Sequence, residues 1–438
     1  MKIKITKFQT AFTMFLAVFI SLAGLSSSVR ADVVTDWNAI AVQATITGAR
    51  PGPSGVIDVA MVHGAVYDAI QAIEGKYEPY YVDIPGASGS SVAAAAKAAH
   101  DVLVSRFPAQ SAAIGVSFQN YLLAQGIPAD DPGIAVGALA AAGIIAVRSC
   151  DGSFPNPVPP PFIGGTGIGV WRPTAPANSP MSPGPWLGAV TPFTLTRPSQ
   201  FRSQPPPELN SRQYARDYNE VKSMGALNNS ERSPEQTDQA HFWAGNFGVM
   251  LNKLVRDMSD EHVDNIADSS RLFALTSMAQ ADAIITVWND KAHYVFWRPV
   301  TAIQNGDLDG NHRTAGDPAW TSLIASPPYP DHSSGANGIT SATMSTLKNF
   351  FRRDRMDFSV TTTNVGPTNE DTREFRRFSD AAEEVVDARI YLGIHFRFAD
   401  EASRTLGIKV ADWGYRNYMR AAHRHGYGDH FVAPFENK

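Results

Sequence analysis

An arginine and a histidine near the carboxyl end of the chain have a spacing that suits binding and attack at one anion. Arg389 precedes His395 by six residues, and Gly393 lies between them. On a continuous helix such residues point roughly 120° apart, but a glycine can break the helix and let them converge. Histidine would supply a nucleophile while arginine holds charged oxygens. A core histidine beside a surface arginine is the alternative.

A lysine and an arginine upstream could add positive charge to the same ligand. Lys291 and Arg298 are seven residues apart, and Pro299 follows. If this segment is helical, both side chains lie on one face, and Pro299 ends the helix. The alternative is a pair of solvated charges on a surface helix.

A proline-flanked turn, residues 327–337, offers hydroxyl and backbone donors. Ser334 and Gly335 precede a run, 338–351, that can be helical. Ser334 could therefore cap this helix, or direct its hydroxyl and nearby N–H groups at an anion. A capping turn without a ligand is the alternative.

The three stretches, in this order, resemble the signature of the vanadium-dependent haloperoxidases and the wider type 2 phosphatidic acid phosphatase superfamily. The family pattern is Lys-x6-Arg-Pro, then Pro-Ser-Gly-His, then Ser-Arg-x5-His. The matching residues are Lys291, Arg298, Pro299, Ser334, Gly335, Arg389 and His395. Trp288 stands where haloperoxidases of this family have a tryptophan in the wall of the anion pocket, although a plain core tryptophan would also fit.

The resemblance implies vanadate as cofactor, with His395 as the metal ligand and Lys291 polarising hydrogen peroxide for attack by a halide. The other residues implied to hold the oxyanion are Arg298, Ser334, the Gly335 amide and Arg389. One alternative is an acid phosphatase that cleaves a small phosphate ester through a phosphohistidine at His395. The other is an oxyanion-binding protein without turnover.

Two departures from the family pattern concern proton transfer and the environment of the histidine. Ala336 replaces the family's acid–base histidine, and general acid–base help is worth ~10²–10⁴-fold in rate. His332, four residues earlier, is the candidate replacement. Ala399 occupies the position four residues after His395, where family members often have an acid; Asp400 comes one residue later. The pattern therefore predicts weakened or altered activity.

Composition bounds the class of protein. The chain has 438 residues, 44% of them hydrophobic, and a formal net charge of -5. This size permits a large core, and the charge argues against nucleic-acid binding. Cys150 is the single cysteine, so it can form no intrachain disulfide, and we expect it to be buried.

The expected organisation is an all-α helical bundle of the vanadium haloperoxidase and acid phosphatase type. Residues 1–31 read as a cleavable signal peptide, which predicts a periplasmic or secreted protein; an uncleaved membrane anchor is the alternative. We expect no membrane span in the mature chain. An N-terminal helical region, 32–150, precedes a proline-rich covering segment, 151–208, and a helical oxyanion-binding region, 209–438. The oligomeric state stays open.

Helical periodicity predicts the bounds of the individual helices. Two further patterns resemble metal sites but are not interpreted as such. Residues 305–311 resemble a calcium loop but lack its glutamate, and His423, His425 and His430 fit a solvated tail. Asp400 is expected to cap the last helix. The predicted helices are 57–73, 92–103, 134–147, 211–224, 233–247, 249–258, 269–297, 338–351, 372–389 and 400–419.

Overall fold

The chain folds mainly into helices, which confirms the expected all-α class. The structure is a computed structural model that describes residues 32–368 and 371–422. The predicted signal peptide and the three terminal histidines lie outside these residues. The described helices are α1 (Val33–Thr47), α2 (Gly55–Glu74), α3 (Ser91–Arg106), α4 (Ser111–Ala124), α5 (Pro132–Val147), α6 (Arg212–Met224), α7 (Pro234–Phe242), α8 (Phe247–His262), α9 (Ile266–Tyr294), α10 (Pro299–Gln304), α11 (Gly335–Phe351), α12 (Phe378–Tyr391) and α13 (Arg397–Asn417).

Helix α9 is the central element of the fold. The side chain of Asn265 caps its first turn by accepting from the backbone N–H of Asp268. From Leu272 to Lys291 nearly every side chain is buried, because α2, α11 and α13 pack around this helix. A helix that is buried on all sides needs apolar or small residues on every face. Several of its buried polar residues, among them Gln280, Asp282 and Asp290, are accordingly paired with other parts of the chain.

Helix α2 comes from the predicted N-terminal region yet packs directly on α9. The two helices share one hydrophobic cluster, which includes Ile57 and Val66 of α2 and Phe273 and Ile285 of α9. By length and composition, residues 52–74 could also cross a membrane, contrary to the expectation that no such stretch exists after the signal peptide. In this fold 89% of the apolar window is buried, so its apolarity is used in the core.

The proline-rich covering segment is irregular, as predicted, apart from a short 3₁₀ helix at Pro185–Ala189. Asp282 of α9 is fully buried and accepts from the backbone N–H groups of Phe193 at 2.6 Å and Thr194 at 2.7 Å. Near the end of α9, Asp290 accepts from the N–H of Ser203 at 3.1 Å. These buried carboxyl groups fix the segment to the central helix, since each unpaired donor would carry a desolvation cost.

Backbone pairing ties the covering segment to the turn after α9. The N–H of Trp171 donates to the carbonyl of Val295 at 2.7 Å, and the N–H of Trp297 donates to the carbonyl of Gly169 at 3.0 Å. Further along, Gly188 lies against the backbone of Asn289, where an added Cβ would come within 2.4 Å of the Asn289 nitrogen. Only glycine permits this approach between the segment and α9.

A second, smaller core contains many aromatic side chains and lies beside the residues that carry the family motifs. Phe396 and Phe398 stack with centroids 5.1 Å apart, and Phe296 meets both rings edge-on. Tyr214 of α6 packs on Phe296 and Phe396. These phenylalanines lie within three residues of Arg298 or His395 in the sequence. Their packing therefore brings the stretch around Arg298 next to the stretch around His395.

Several local predictions are wrong. Residues 372–377 are not helical but form the strand β2 (Thr372–Arg377), which pairs antiparallel with β1 (Arg355–Thr361). In each strand, polar residues flank a buried phenylalanine. The pair therefore buries Phe358 against Phe375 and leaves the opposite face exposed. The predicted helix 233–247 breaks after Phe242, and Cys150 is exposed.

The attachment of the covering segment predicts a specific weakness. Replacing Asp282 by asparagine puts amide hydrogens where two backbone donors converge, so we expect a loss on the order of 3 kcal/mol in unfolding free energy. Urea unfolding measures this loss, and tryptic cleavage after Arg202 should accelerate. Asp257→Asn on the exposed face of α8 is the matched control. Equal effects of both variants would contradict the anchoring role.

Candidate functional site

His395 lies in the short connection between α12 and α13. Helix α12 ends at Tyr391, and Gly393 then adopts a left-handed conformation with φ of 76°. A Cβ at Gly393 would lie 2.3 Å from the carbonyl oxygen of Gly225, so the position requires glycine. The predicted break is therefore present, and it redirects the chain before His395. The imidazole is 1% exposed.

Two buried groups contact the two nitrogens of His395. Asp331 Oδ1 lies 2.7 Å from Nδ1, and Arg298 Nη1 lies 3.1 Å from Nε2 and 3.5 Å from Nδ1. Burial, followed by the charges of Arg298 and Lys291, holds the pKa of His395 well below its usual range. The imidazole is therefore neutral at neutral pH, a state in which one nitrogen carries a lone pair.

Arg298 reaches this histidine from the turn after α9. It lies outside α9, which ends at Tyr294, and it is the N-cap residue of α10, whose first residue is Pro299. The expectation that Lys291 and Arg298 share one helical face is therefore wrong, and Pro299 begins a helix instead of ending one. The guanidinium donates to the carbonyls of Tyr329 at 2.8 Å and Ile394 at 2.7 Å.

Lys291 projects from the last turn of α9 into the same buried region. Its ammonium group donates to the carbonyls of Pro330 at 2.6 Å and Asp331 at 2.9 Å. Burial and the charge of Arg298 hold the pKa of Lys291 well below its usual range, while neighbouring aspartates oppose that shift. An additional anion beside Lys291 would favour its charged form.

Arg389 approaches from the end of α12 and is 7% exposed. Its Nη1 donates to the carbonyl of Trp243 at 2.9 Å, whereas its buried Nε lacks a hydrogen-bond partner. Nη2 of Arg298 is also buried and lacks such a partner. Buried guanidinium donors without partners are costly, so these two groups provide capacity for an acceptor-rich ligand.

Ser334 and Gly335 lie at the start of α11, with Ser334 as N-cap residue. The Ser334 hydroxyl makes no capping bond; it accepts from Asn337 Nδ2 at 3.3 Å. The same Asn337 nitrogen donates to Asp400 Oδ1 at 2.8 Å. Asp400 is therefore not the N-cap of α13, which is Phe396, but a fully buried partner of the α11 turn.

Two aromatic rings line the lysine. Trp288 is fully buried, lies 4.9 Å from the Tyr329 ring between centroids, and donates from Nε1 to the carbonyl of Pro183. The ammonium nitrogen of Lys291 lies 5.0 Å from the Tyr329 centroid and 5.8 Å from that of Trp288. The rings thus help to offset the desolvation of the cation.

His332 has its hydrogen-bond partners in the covering segment. Its Nε2 lies 2.9 Å from the carbonyl oxygen of Gln204 and 3.0 Å from Ser203 Oγ. A carbonyl only accepts, so Nε2 carries the hydrogen and Nδ1 carries the lone pair. The ring also borders a cavity of about 340 Å³. The other residues lining this cavity are Gln204, Pro205, Pro207, Gln213, Phe398, Glu401, Ala402 and Thr405.

Buried carboxyl groups balance part of the positive charge. Burial raises the pKa of Asp331 to about 7, against the opposing effects of Arg298 and Lys291. Burial likewise raises the pKa of Asp400 well above its usual range, although a hydrogen bond with Ser334 opposes the shift. A carboxyl group that takes up a proton becomes neutral and no longer compensates the arginines, which stay protonated. The cluster then carries net positive charge. The cluster is thereby suited to an anion.

The structure thus places the three predicted cations and His395 in one buried cluster, with the Ser334–Gly335 turn linked to it through Asp400. Sequence reasoning missed the roles of Asp331, Asp400 and Asn337. One signal was available: Asp331 precedes Ser334 by three residues within a motif turn. An acid beside several predicted cations indicates a pairing partner.

Comparison with known proteins agrees with this geometry. Residues 271–424 match the family model described as the VCPO second helical-bundle domain. A vanadium chloroperoxidase from Curvularia inaequalis is 26% identical over 291 residues, which cover 51% of this chain and 47% of that protein. The chain therefore spans about half the length of this curated relative.

The chain is similar in sequence or in fold to several vanadium-dependent haloperoxidases. A bacterial vanadium-dependent iodoperoxidase has the same fold, with a TM-score of 0.76 at 22% identity, covering 89% of this chain and 97% of that one. The holo form of a bacterial vanadium-dependent chloroperoxidase gives a TM-score of 0.65 at 18% identity, covering 90% and 94%. These likenesses establish the haloperoxidase fold.

The residues present fit the vanadate of these haloperoxidase relatives. The partnerless donors of Arg298 and Arg389 are buried beside the His395 cluster, as an oxyanion with several acceptor oxygens requires. His395 supplies an imidazole nitrogen, a common ligand type for transition metals. In the free protein Arg298 contacts that nitrogen, so a bound oxyanion would replace this contact.

The depressed pKa of His332 predicts acid sensitivity. Burial lowers this pKa from 6.5 to about 4, so below pH 6.5 the unfolded chain binds a proton that the folded chain does not. Stability contributed by the neutral ring is therefore lost as the pH falls from about 6.5 to about 4. Against a His332→Gln variant, the wild type should lose on the order of 2 kcal/mol by pH 5.

Urea titrations between pH 5 and pH 8 measure this difference. The gap between the two proteins should be constant above pH 7, which serves as the internal control. A gap that stays constant down to pH 5 would show that His332 titrates normally in the folded protein.

Proposed function

We propose that this protein is a vanadate-dependent haloperoxidase-type enzyme that oxidises halide with hydrogen peroxide. The observation that carries the proposal is the meeting of His395 with Lys291, Arg298 and Arg389 in one buried cluster. Relatives that are named for vanadium support the choice of oxyanion. Bound vanadate would supply a Lewis acid that activates the peroxide without changing its own oxidation state.

The chain's own residues would bind and orient the oxyanion. The neutral imidazole of His395 would offer a lone pair, while Arg298 and Arg389 would direct N–H donors at the negative oxygens. The Ser334 hydroxyl and the Gly335 amide at the start of α11 would add neutral donors. Lys291 would donate a hydrogen bond to the peroxide and so withdraw electron density from it. Trp288 would wall this pocket and keep water away from it.

The proposed activity is weakened because Ala336 has no group that transfers a proton. His332 is the proposed substitute, since its Nδ1 has a buried lone pair without a hydrogen-bond partner. Its Nε2, however, is held by the covering segment. Residues 1–31 are proposed to direct the protein to the periplasm or the outside of the cell.

Ala336 also favours a second candidate function, an oxyanion-binding protein without turnover. The cations and His395 would bind the anion equally well in this case, because binding needs no proton transfer. Vanadate binding without bromide oxidation favours this candidate. Hydrolysis of p-nitrophenyl phosphate by the vanadate-free protein would instead favour an acid phosphatase.

Replacing His395 by alanine should abolish vanadate binding, because the cations alone hold an oxyanion without a bond to its central atom. Equilibrium dialysis with vanadate measures this, and circular dichroism checks the fold. His100→Ala on the outer helix α3 is the matched control. Tight binding retained by His395→Ala would rule out this histidine as the ligand.

An Ala336→His variant should gain bromide oxidation after vanadate loading, by roughly 10²-fold if the introduced imidazole transfers protons. Ala336→Gln controls for side-chain size without an acid–base group. A gain in both variants would mean that packing limits the rate. No gain in either would count against a proton-transfer role for this position.

A further inference from the structure

The carboxyl group of Asp331 is placed to control which nitrogen of His395 is free. Asp331 is fully buried, and its Oδ1 lies 2.7 Å from Nδ1 of the imidazole. The same oxygen is 3.7 Å from Arg298 Nη1, so the histidine is the nearer partner. The backbone fixes this carboxyl group in place, because its N–H donates to the carbonyl of Phe296 and its own carbonyl accepts from Lys291.

The carboxyl group of Asp331 favours one tautomer of the His395 ring. Arg298 Nη1 lies 3.1 Å from Nε2 and 3.5 Å from Nδ1, so this donor does not distinguish the two nitrogens. The carboxylate oxygen of Asp331 lies 2.7 Å from Nδ1 and can only accept, so it favours the tautomer with hydrogen on Nδ1. A ring nitrogen that binds a metal is commonly prepared in this way by a hydrogen bond at the opposite nitrogen.

We propose that Asp331 is a positioning residue that holds His395 in the Nδ1–H tautomer, so that Nε2 faces the oxyanion. The inference rests on the proposed function in one respect, the assignment of His395 as the residue that bonds the oxyanion. The position four residues after His395, where an acidic partner is expected from the family pattern, holds Ala399. The acidic partner comes instead from the turn before α11, 64 positions earlier in the chain.

Electrostatics and positioning make opposite predictions for this residue. A carboxylate beside three cations repels any incoming anion, so its removal alone would tighten anion binding. Loss of the preferred tautomer would weaken the binding only of a ligand that forms a bond to Nε2. Vanadate forms such a bond in the proposed function, whereas phosphate bound at rest relies on the cations alone. The two anions therefore separate the two effects.

The test compares the wild type with Asp331→Ala, and with Asp290→Ala as the matched control. Asp290 is another buried acid beside Lys291, but its contacts are Ser203 and Ser333. In Asp331→Ala we expect vanadate affinity to fall by about 10–100-fold, as for loss of a hydrogen-bond partner of a metal ligand. Phosphate affinity should stay constant or rise. In Asp290→Ala, the ratio of vanadate affinity to phosphate affinity should equal that of the wild type.

The tautomer is measured directly in the vanadate-free wild type by NMR of ¹⁵N-histidine-labelled protein, with His395→Gln assigning the signal. An Nδ1–H signal supports the proposal, and an Nε2–H signal overturns it even if the alanine variant does not fold. A similar loss of affinity for both anions would show a merely structural role and overturn the proposal. Tighter vanadate binding by the variant would also overturn it. If the wild type binds no vanadate, the proposed function fails, while the NMR result still decides the role of Asp331.

Discussion

The burial of several cations in one place is the constraint on which the rest of this structure depends. A charged group that leaves water is costly unless other groups replace its hydration. Lys291 and Arg298 are both fully buried, and backbone carbonyls supply most of their replacement contacts. These carbonyls belong to the turns around Pro330 and Ile394, so those turns must take up specific conformations for the cations to be tolerated.

The surrounding architecture provides those conformations. Helix α9 carries Lys291 inward, and the covering segment is fixed to the same helix through Asp282 and Asp290. The aromatic cluster around Phe296 and Phe396 holds the two motif turns against each other. Packing of the scaffold and positioning of the charges are therefore coupled, because moving either turn would leave a buried cation without acceptors.

Buried acids pair with specific partners in this site. Asp331 contacts His395, and Asp400 is linked to the Ser334 turn through Asn337. The position of the family's acid–base histidine holds Ala336, which can orient nothing and transfer no proton. Binding of an oxyanion and turnover of a substrate thus place different demands on this site. The buried cations suit the first demand, whereas the side chain at position 336 offers nothing to the second.

The sequence by itself determined the helical class, the break at Gly393, the irregular covering segment and which residues to examine for a common site. These are local properties, since helical periodicity, glycine geometry, proline content and motif spacing act over a few residues. The strand β2 was missed because its pairing with β1, rather than its own short sequence, stabilises it.

Only the tertiary structure decided how the motif side chains meet. Lys291 and Arg298 converge because α9 ends between them and the chain turns, not because they share a helical face. Asp331 is the partner of His395 because the packing of two separate turns brings them within 2.7 Å. Distances between residues far apart in the chain follow from how the helices pack together, and no local pattern encodes them.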